Sequence, residues 1–190
     1  IQVSKPINGL TEAIHNATTN NSTLTELTVP ASVVSGLSES TLSKLKKLEI
    51  IPISGYVFTP SSEAKLLFPL EKCIVLSELI VPADLTPYIQ FKTLNYNVTG
   101  IELKLTIVPG CNGSVVLPED AEIDIRLSNA IRTLCMDGVT WPETGFIFPG
   151  AMRTFVSKNV EVIPKSRLNI NRWYSAETII LEDVKEIGDN

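Results

Sequence analysis

A short apolar pattern ending in proline recurs along this chain, and it limits the possible folds more than any other feature. Leu24-Thr-Glu-Leu27-Thr-Val29-Pro30 is followed by Leu45-Lys-Lys-Leu48-Glu-Ile50-Ile51-Pro52, which carries one inserted residue. Leu76-Ser-Glu-Leu79-Ile-Val81-Pro82 repeats it again. In each copy the first two apolar residues are three apart, a tight-turn spacing, and the next pair is two apart, the period of a strand. Proline then ends the run, because it has no N–H to give to a ladder. In the third copy the spacing of three reaches back through Cys73 to Leu70. A turn feeding so short a strand buries no apolar face alone, so the copies are expected to stack as a repeat array. Residues 101–109 and 160–164 are looser copies that also end in proline.

The block Val29-Pro30-Ala-Ser-Val33-Val-Ser-Gly-Leu37-Ser-Glu-Ser-Thr-Leu42-Ser-Lys-Leu45-Lys-Lys-Leu48-Glu-Ile50-Ile-Pro52 resembles one repeat of the BspA-like leucine-rich-repeat proteins. The stretch around Cys73 is similar to the second half of that unit, and residues 181–190 are similar to its first half. Residues 53–69, 85–100 and 110–158 depart from the pattern in length and spacing. The resemblance implies an α/β solenoid: short parallel strands on a concave face and irregular, partly helical backs. It also implies adhesion or recognition without catalysis, on another protein or a host surface.

Composition agrees with a folded domain, with 44% hydrophobic and 19% charged residues over 190 positions. The net charge of −5 argues against nucleic acid as a partner, since phosphate binding needs a basic footprint. No apolar run approaches the roughly 20 residues that cross a bilayer as a helix, so no membrane insertion is expected. The start at Ile1-Gln2-Val3 and the half-repeat at residues 187–190 suggest a piece trimmed from a longer array. An unfinished repeat there is expected to continue or to pair end to end with another copy, because open strand edges associate.

Residues 1–23 read as an N-terminal cap, with a short amphipathic helix around Leu10, Ala13 and Ile14 and a polar loop from His15 to Thr23. Residues 24–190 read as the array, in about six or seven irregular repeats. Residues 101–108 alternate as a strand, with Ile101, Leu103, Leu105 and Ile107 on one face. Asn112-Gly113 marks a turn. Residues 114–117 and 122–127 read as further strands, and residues 128–135 as a short helix.

The inventory for chemistry is thin, and neither a catalytic site nor a cofactor is expected. His15 stands alone in a polar stretch, whereas a triad needs a buried, oriented histidine. Cys73, Cys111 and Cys135 are too widely spaced for zinc, and an odd count leaves one unpaired. Cys73 reads as a small buried hydrophobe, Cys111 lies in an exposable turn, and a bridge from Cys111 to Cys135 is possible. Glu119, Asp120, Glu122 and Asp124 are close carboxylates, which keeps open a secreted hydrolase on a different β-rich fold. A structural spacer module is the third alternative. Sequons at Asn16, Asn20, Asn21, Asn97 and Asn112 favour an extracellular or cell-surface location. If the strands stack, the residues between their buried positions share one face. The candidate partner-binding residues there are Glu26, Thr28, Lys47, Glu49, Glu78, Ile80, Lys104 and Thr106.

Overall fold

A computed structural model describes residues 9–54, 72–89, 100, 102–118, 130–140, 151–164 and 175–188. Seven strands form one sheet: β1 (Glu26–Pro30), β2 (Lys47–Ile51), β3 (Glu78–Pro82), β4 (Leu103–Val108), β5 (Ile131–Asp137), β6 (Thr154–Lys158) and β8 (Thr178–Glu182). Every neighbouring pair is parallel, and the strands lie in chain order. Consecutive parallel neighbours require each connection to travel round and return one strand further on, so the chain is a solenoid. A second, parallel pair joins β7 (Val162–Pro164) to β9 (Glu186–Gly188). Among the described residues helix is scarce: α1 (Leu10–Thr19) and α2 (Glu39–Leu42) accompany two 3₁₀ turns, Ala31–Gly36 and Ala83–Tyr88. Where an α/β mixture was expected, the described residues are mainly β, with helical turns directly behind β1 and β3.

The core follows from register. Leu27, Leu48, Leu79, Leu105, Leu134, Phe155 and Ile179 are successive partners and form one inward column. Leu48 through Phe155 are fully buried along it. Val81, Ile107 and Met136 stack in a parallel column, which then passes through the buried hydroxyl of Ser157 to Leu181. Pro30 and Pro82 close their strands in extended backbone and lead into the 3₁₀ turns, where proline loses no ladder bond.

Beyond β5 the solenoid turns its corners differently. Gly138, Asn159 and Asp183 follow the ends of β5, β6 and β8 and all take left-handed backbone, with φ of 69°, 54° and 53°. Glycine, asparagine and aspartate are the residues that enter this region at least cost. The corners stack as well: the Gly138 N–H donates to the Lys158 carbonyl and the Asn159 N–H to the Glu182 carbonyl, at 2.8 and 3.1 Å. The Asn159 amide also donates to the Asp137 carboxylate at 2.6 Å.

Two sequence expectations are overturned here. Residues 131–135 are strand rather than helix, because β5 carries a bulge: Leu103 pairs with Ile131 but Lys104 with Thr133, leaving Arg132 as the extra residue. The bulge sets the inward residues Ile131 and Leu134 three apart, which imitates a helical period. Residues 15–19 are helical rather than loop. Thr18 turns its hydroxyl back to the Ile14 carbonyl at 2.7 Å and packs against Thr41, while Lys44 caps the helix end at the Thr18 and Asn21 carbonyls. These tertiary partners offset the low helix propensity of the threonines. The 160–164 copy lies not in the main sheet but in the β7–β9 pair; β6 occupies that rung. Of the strand expected at 114–117, only a bridge between Val116 and Thr140 is formed. Residues 55–71, 119–129 and 141–150 lie outside the described residues, and with them the expected strand at 122–127.

The column makes stability position-dependent. Leu79→Ala, at a site with no exposure, should lower unfolding free energy by about 2–5 kcal/mol. Ile179→Ala, 42% exposed on the last rung, should cost less than half as much in the same denaturant titration.

Candidate functional site

The sheet face turned away from the core is where side chains from different turns meet. Register alone puts Glu26, Lys47, Glu78 and Lys104 in one column. Thr28, Glu49, Ile80 and Thr106 form the next column. All eight predicted candidates therefore lie together, on the outer face of β1–β4. The first column alternates in charge and pairs with itself. Glu78 receives Lys104 at 3.0 Å and Lys47 at 3.5 Å. In the second column the Thr28 hydroxyl donates to the Glu49 carboxylate at 3.2 Å. Thr106 differs from the other seven in being buried, its hydroxyl hydrogen-bonded to the Cys135 sulfur.

The hydrogen bond from Lys104 holds the Glu78 carboxyl below its usual range. Partial burial opposes this, and the charges of Lys104 and Lys47 reinforce it. Further along, the Asp137 carboxylate, 3.3 Å from Lys158, pushes the lysine above its usual range through a hydrogen bond and its charge.

The outer face continues past the predicted residues. Thr133, Thr154 and Thr178 extend the first column, and Cys135, Val156 and Ile180 extend the second. A six-residue motif marks these rungs: Thr133-Leu-Cys-Met-Asp-Gly138, Thr154-Phe-Val-Ser-Lys-Asn159 and Thr178-Ile-Ile-Leu-Glu-Asp183. Each copy reads threonine, three residues suited to a strand, a charge and a left-handed corner. That signal was open to sequence reasoning but carries no proline, the marker on which the repeat reading rested. One edge of the sheet holds a shallow cleft of about 470 Å³ lined by Arg132, Ala151, Arg153, Ser175, Ala176 and Glu177. Its two guanidinium groups reach the Glu102 carboxylate at 3.6 and 3.9 Å, and Glu177 adds a second carboxylate. The cleft therefore has no net cationic character.

Other residues with potential chemistry serve the fold. His15 donates from Nδ1 to the Gly36 carbonyl at 3.2 Å and fixes α1 on the first 3₁₀ turn. A side chain at Gly36 would meet the Thr11 methyl, which would have to move aside. The three cysteines are all buried and none is in a disulfide, so the Cys111–Cys135 bridge is not formed and Cys111 is not exposed in its turn. Burial pushes the thiols of Cys111 and Cys135 up, which keeps both protonated and poorly nucleophilic. Among the described residues no group of three or more His, Cys, Asp or Glu is placed to hold a metal. No described helix is long and apolar enough to cross a membrane. The acidic cluster at 119–124 lies outside the described residues.

Compared with known proteins, the chain matches no family model, no curated protein and no solved structure.

Glu78 gives a test of the ladder. A depressed carboxyl contributes stability above its unfolded pKa and loses it as pH falls through the folded value. Glu78→Gln should cost about 0.2–1 kcal/mol at neutral pH, as partly exposed pairs do. The difference from wild type should shrink to nothing in acid titrations below the ordinary carboxylate range, and also in high salt.

Proposed function

We propose that this chain is a non-catalytic recognition module that binds another protein, or a host surface, through the outer face of β1–β4. The observation that carries this reading is the in-register pair of columns built from Glu26, Lys47, Glu78 and Lys104 and from Thr28, Glu49 and Ile80. Four separate turns of chain contribute to one continuous surface, which is how solenoids present extended binding faces. Because the two lysines and two glutamates of the first column compensate each other and Glu49 is the one excess charge, the face offers a fixed charge pattern more than a net charge. Such a pattern discriminates between partners more than it adds raw affinity.

The assignment to a leucine-rich-repeat array rests on the Val29–Pro52 resemblance and on the 3₁₀ turns that follow Pro30 and Pro82. A secreted or cell-surface location and a role in adhesion go with that assignment. They are supported by the exposure of the acceptor residues Asn16, Asn20, Asn21 and Asn112. An exposed acceptor can be modified without unfolding the chain around it.

The combined variant Glu78→Ala, Ile80→Ala and Lys104→Ala removes the centre of both columns while leaving every inward residue intact. Proteins retained by the immobilised wild-type chain should be lost from this variant, and the variant should melt within a few degrees of wild type. Equal retention by the two folded proteins rejects the outer face as the recognition surface.

A further inference from the structure

The fold treats the sequons of this chain differently. Asn97 lies outside the described residues; Asn16, Asn20, Asn21 and Asn112 are all exposed. Each sequon has two working groups, the asparagine carboxamide and the hydroxyl two residues on. An acceptor in the folded chain needs both groups on one exposed side, with its amide nitrogen unengaged.

Three of the four acceptors fail that condition. Asn16 lies within α1, where two residues on is about 200° round the helix, so Asn16 faces solvent while Thr18 is buried. The Thr18 hydroxyl is engaged there, donating to the Ile14 carbonyl at 2.7 Å and receiving the Thr41 hydroxyl at 3.2 Å. Asn20 follows α1 and turns its amide nitrogen back on the Asn16 carbonyl at 3.5 Å. Asn112 precedes Gly113, whose backbone is left-handed, and the Ser114 hydroxyl donates forward to the Val116 carbonyl at 2.9 Å.

Asn21 meets it. Its carboxamide oxygen accepts both the N–H and the hydroxyl of Thr23, each at 3.0 Å. A backbone N–H only donates, so this contact fixes which carboxamide atom is the oxygen. The nitrogen is left without a hydrogen bond among the described residues, and Asn21, Ser22 and Thr23 are all exposed. The backbone behind it is anchored. The Lys44 ammonium donates to the Asn21 and Thr18 carbonyls, and the Asn21 N–H donates to the Thr18 carbonyl at 3.3 Å. The turn is therefore held at its main chain and open at its side chains.

We propose that Asn21 is the N-glycosylation acceptor of the folded chain and that Asn16, Asn20 and Asn112 are passed over. The co-reactant is an oligosaccharide on a polyprenyl pyrophosphate, delivered by an oligosaccharyltransferase. Asn21 Nδ2 bonds to the anomeric carbon of the first sugar. The bond from that carbon to the pyrophosphate oxygen breaks, and the pyrophosphate leaves with the electron pair. The proton lost from Nδ2 passes to a base of the transferase. Negative charge gathers on the carboxamide oxygen as that proton leaves, and two Thr23 donors already point at it. In the cell the modification rests on the extracellular location inferred above; the choice of acceptor does not.

The test incubates the full chain, purified folded and unglycosylated, with a eukaryotic oligosaccharyltransferase and a polyprenyl-pyrophosphate chitobiose donor. Modified asparagines are mapped by mass spectrometry. Among Asn16, Asn20, Asn21 and Asn112, sugar should appear on Asn21 alone. Asn21→Gln should lose it without transfer to Asn20, and Thr23→Ala should lose it as well. Both changes are at exposed positions, and melting curves check that the variants fold. No sugar on Asn21, equal sugar on any of the other three, or retention of the Asn21 sugar in folded Thr23→Ala overturns the proposal. Each of these outcomes leaves the outer face of β1–β4 to be judged by its own variant.

Discussion

Leu48 rests on Leu27, Leu79 on Leu48, Leu105 on Leu79, Leu134 on Leu105, and Phe155 on Leu134. Each of these residues belongs to a strand of five to seven residues, too short to be stable alone. The inward column supplies the burial that such a strand lacks, and the parallel ladder satisfies its backbone. Because side chains alternate along a strand, a slip of one residue would expose the whole column. Strict register is therefore imposed by the core and then inherited by the outer face. The Glu26–Lys104 charge ladder exists because Leu27, Leu48, Leu79 and Leu105 cannot move relative to one another.

This dependence explains what the sequence disclosed and what it hid. Equivalent positions in the first four strands are separated by 21, 31 and 26 residues. Length variation is absorbed in the connections while the strands keep phase, so the local leucine-proline pattern was enough to locate β1, β2, β3 and β4. The eight outer-face candidates followed from alternation alone, and only Thr106 proved covered. β5 was illegible because a bulge at Arg132 changes its period, and a single bulge leaves no distinct composition. β6 was missed because its corner is made by Asn159 in left-handed backbone and not by a proline. The helical end of α1 was hidden for another reason. Its support comes from Thr41, Ser38 and Lys44, which are distant in sequence, so no local propensity could announce it.

The change in corner chemistry divides the solenoid. Behind β1 and β3, proline leads into a 3₁₀ turn that places Ala31, Val33 and Val34, or Ala83 and Leu85, in the core. Behind β6 and β8, a left-handed residue turns the chain into a second short strand, and Ile163 and Ile187 pair across that smaller sheet. Both solutions place an apolar side chain behind the main sheet, buried in the case of Ile163, so they are alternatives for one packing requirement. They differ in how their backbone is satisfied. A 3₁₀ turn bonds within itself and needs no neighbour, whereas a strand such as β9 needs one on each side.

That difference bears on why the two ends of the molecule are unlike. At the β1 end the first 3₁₀ turn is self-satisfied, so over that turn α1 covers apolar surface with Leu10 and Ile14, and the Thr18–Thr41 hydroxyl pair joins it to α2. Among the described residues β1 at one end and β8 and β9 at the other each pair on one side, so these strands carry backbone groups that call for hydrogen bonds as well as cover. A helix satisfies its own amides and has none to offer a strand edge, so a cap like α1 would leave those groups unpaired. Only another extended segment meets both needs at once.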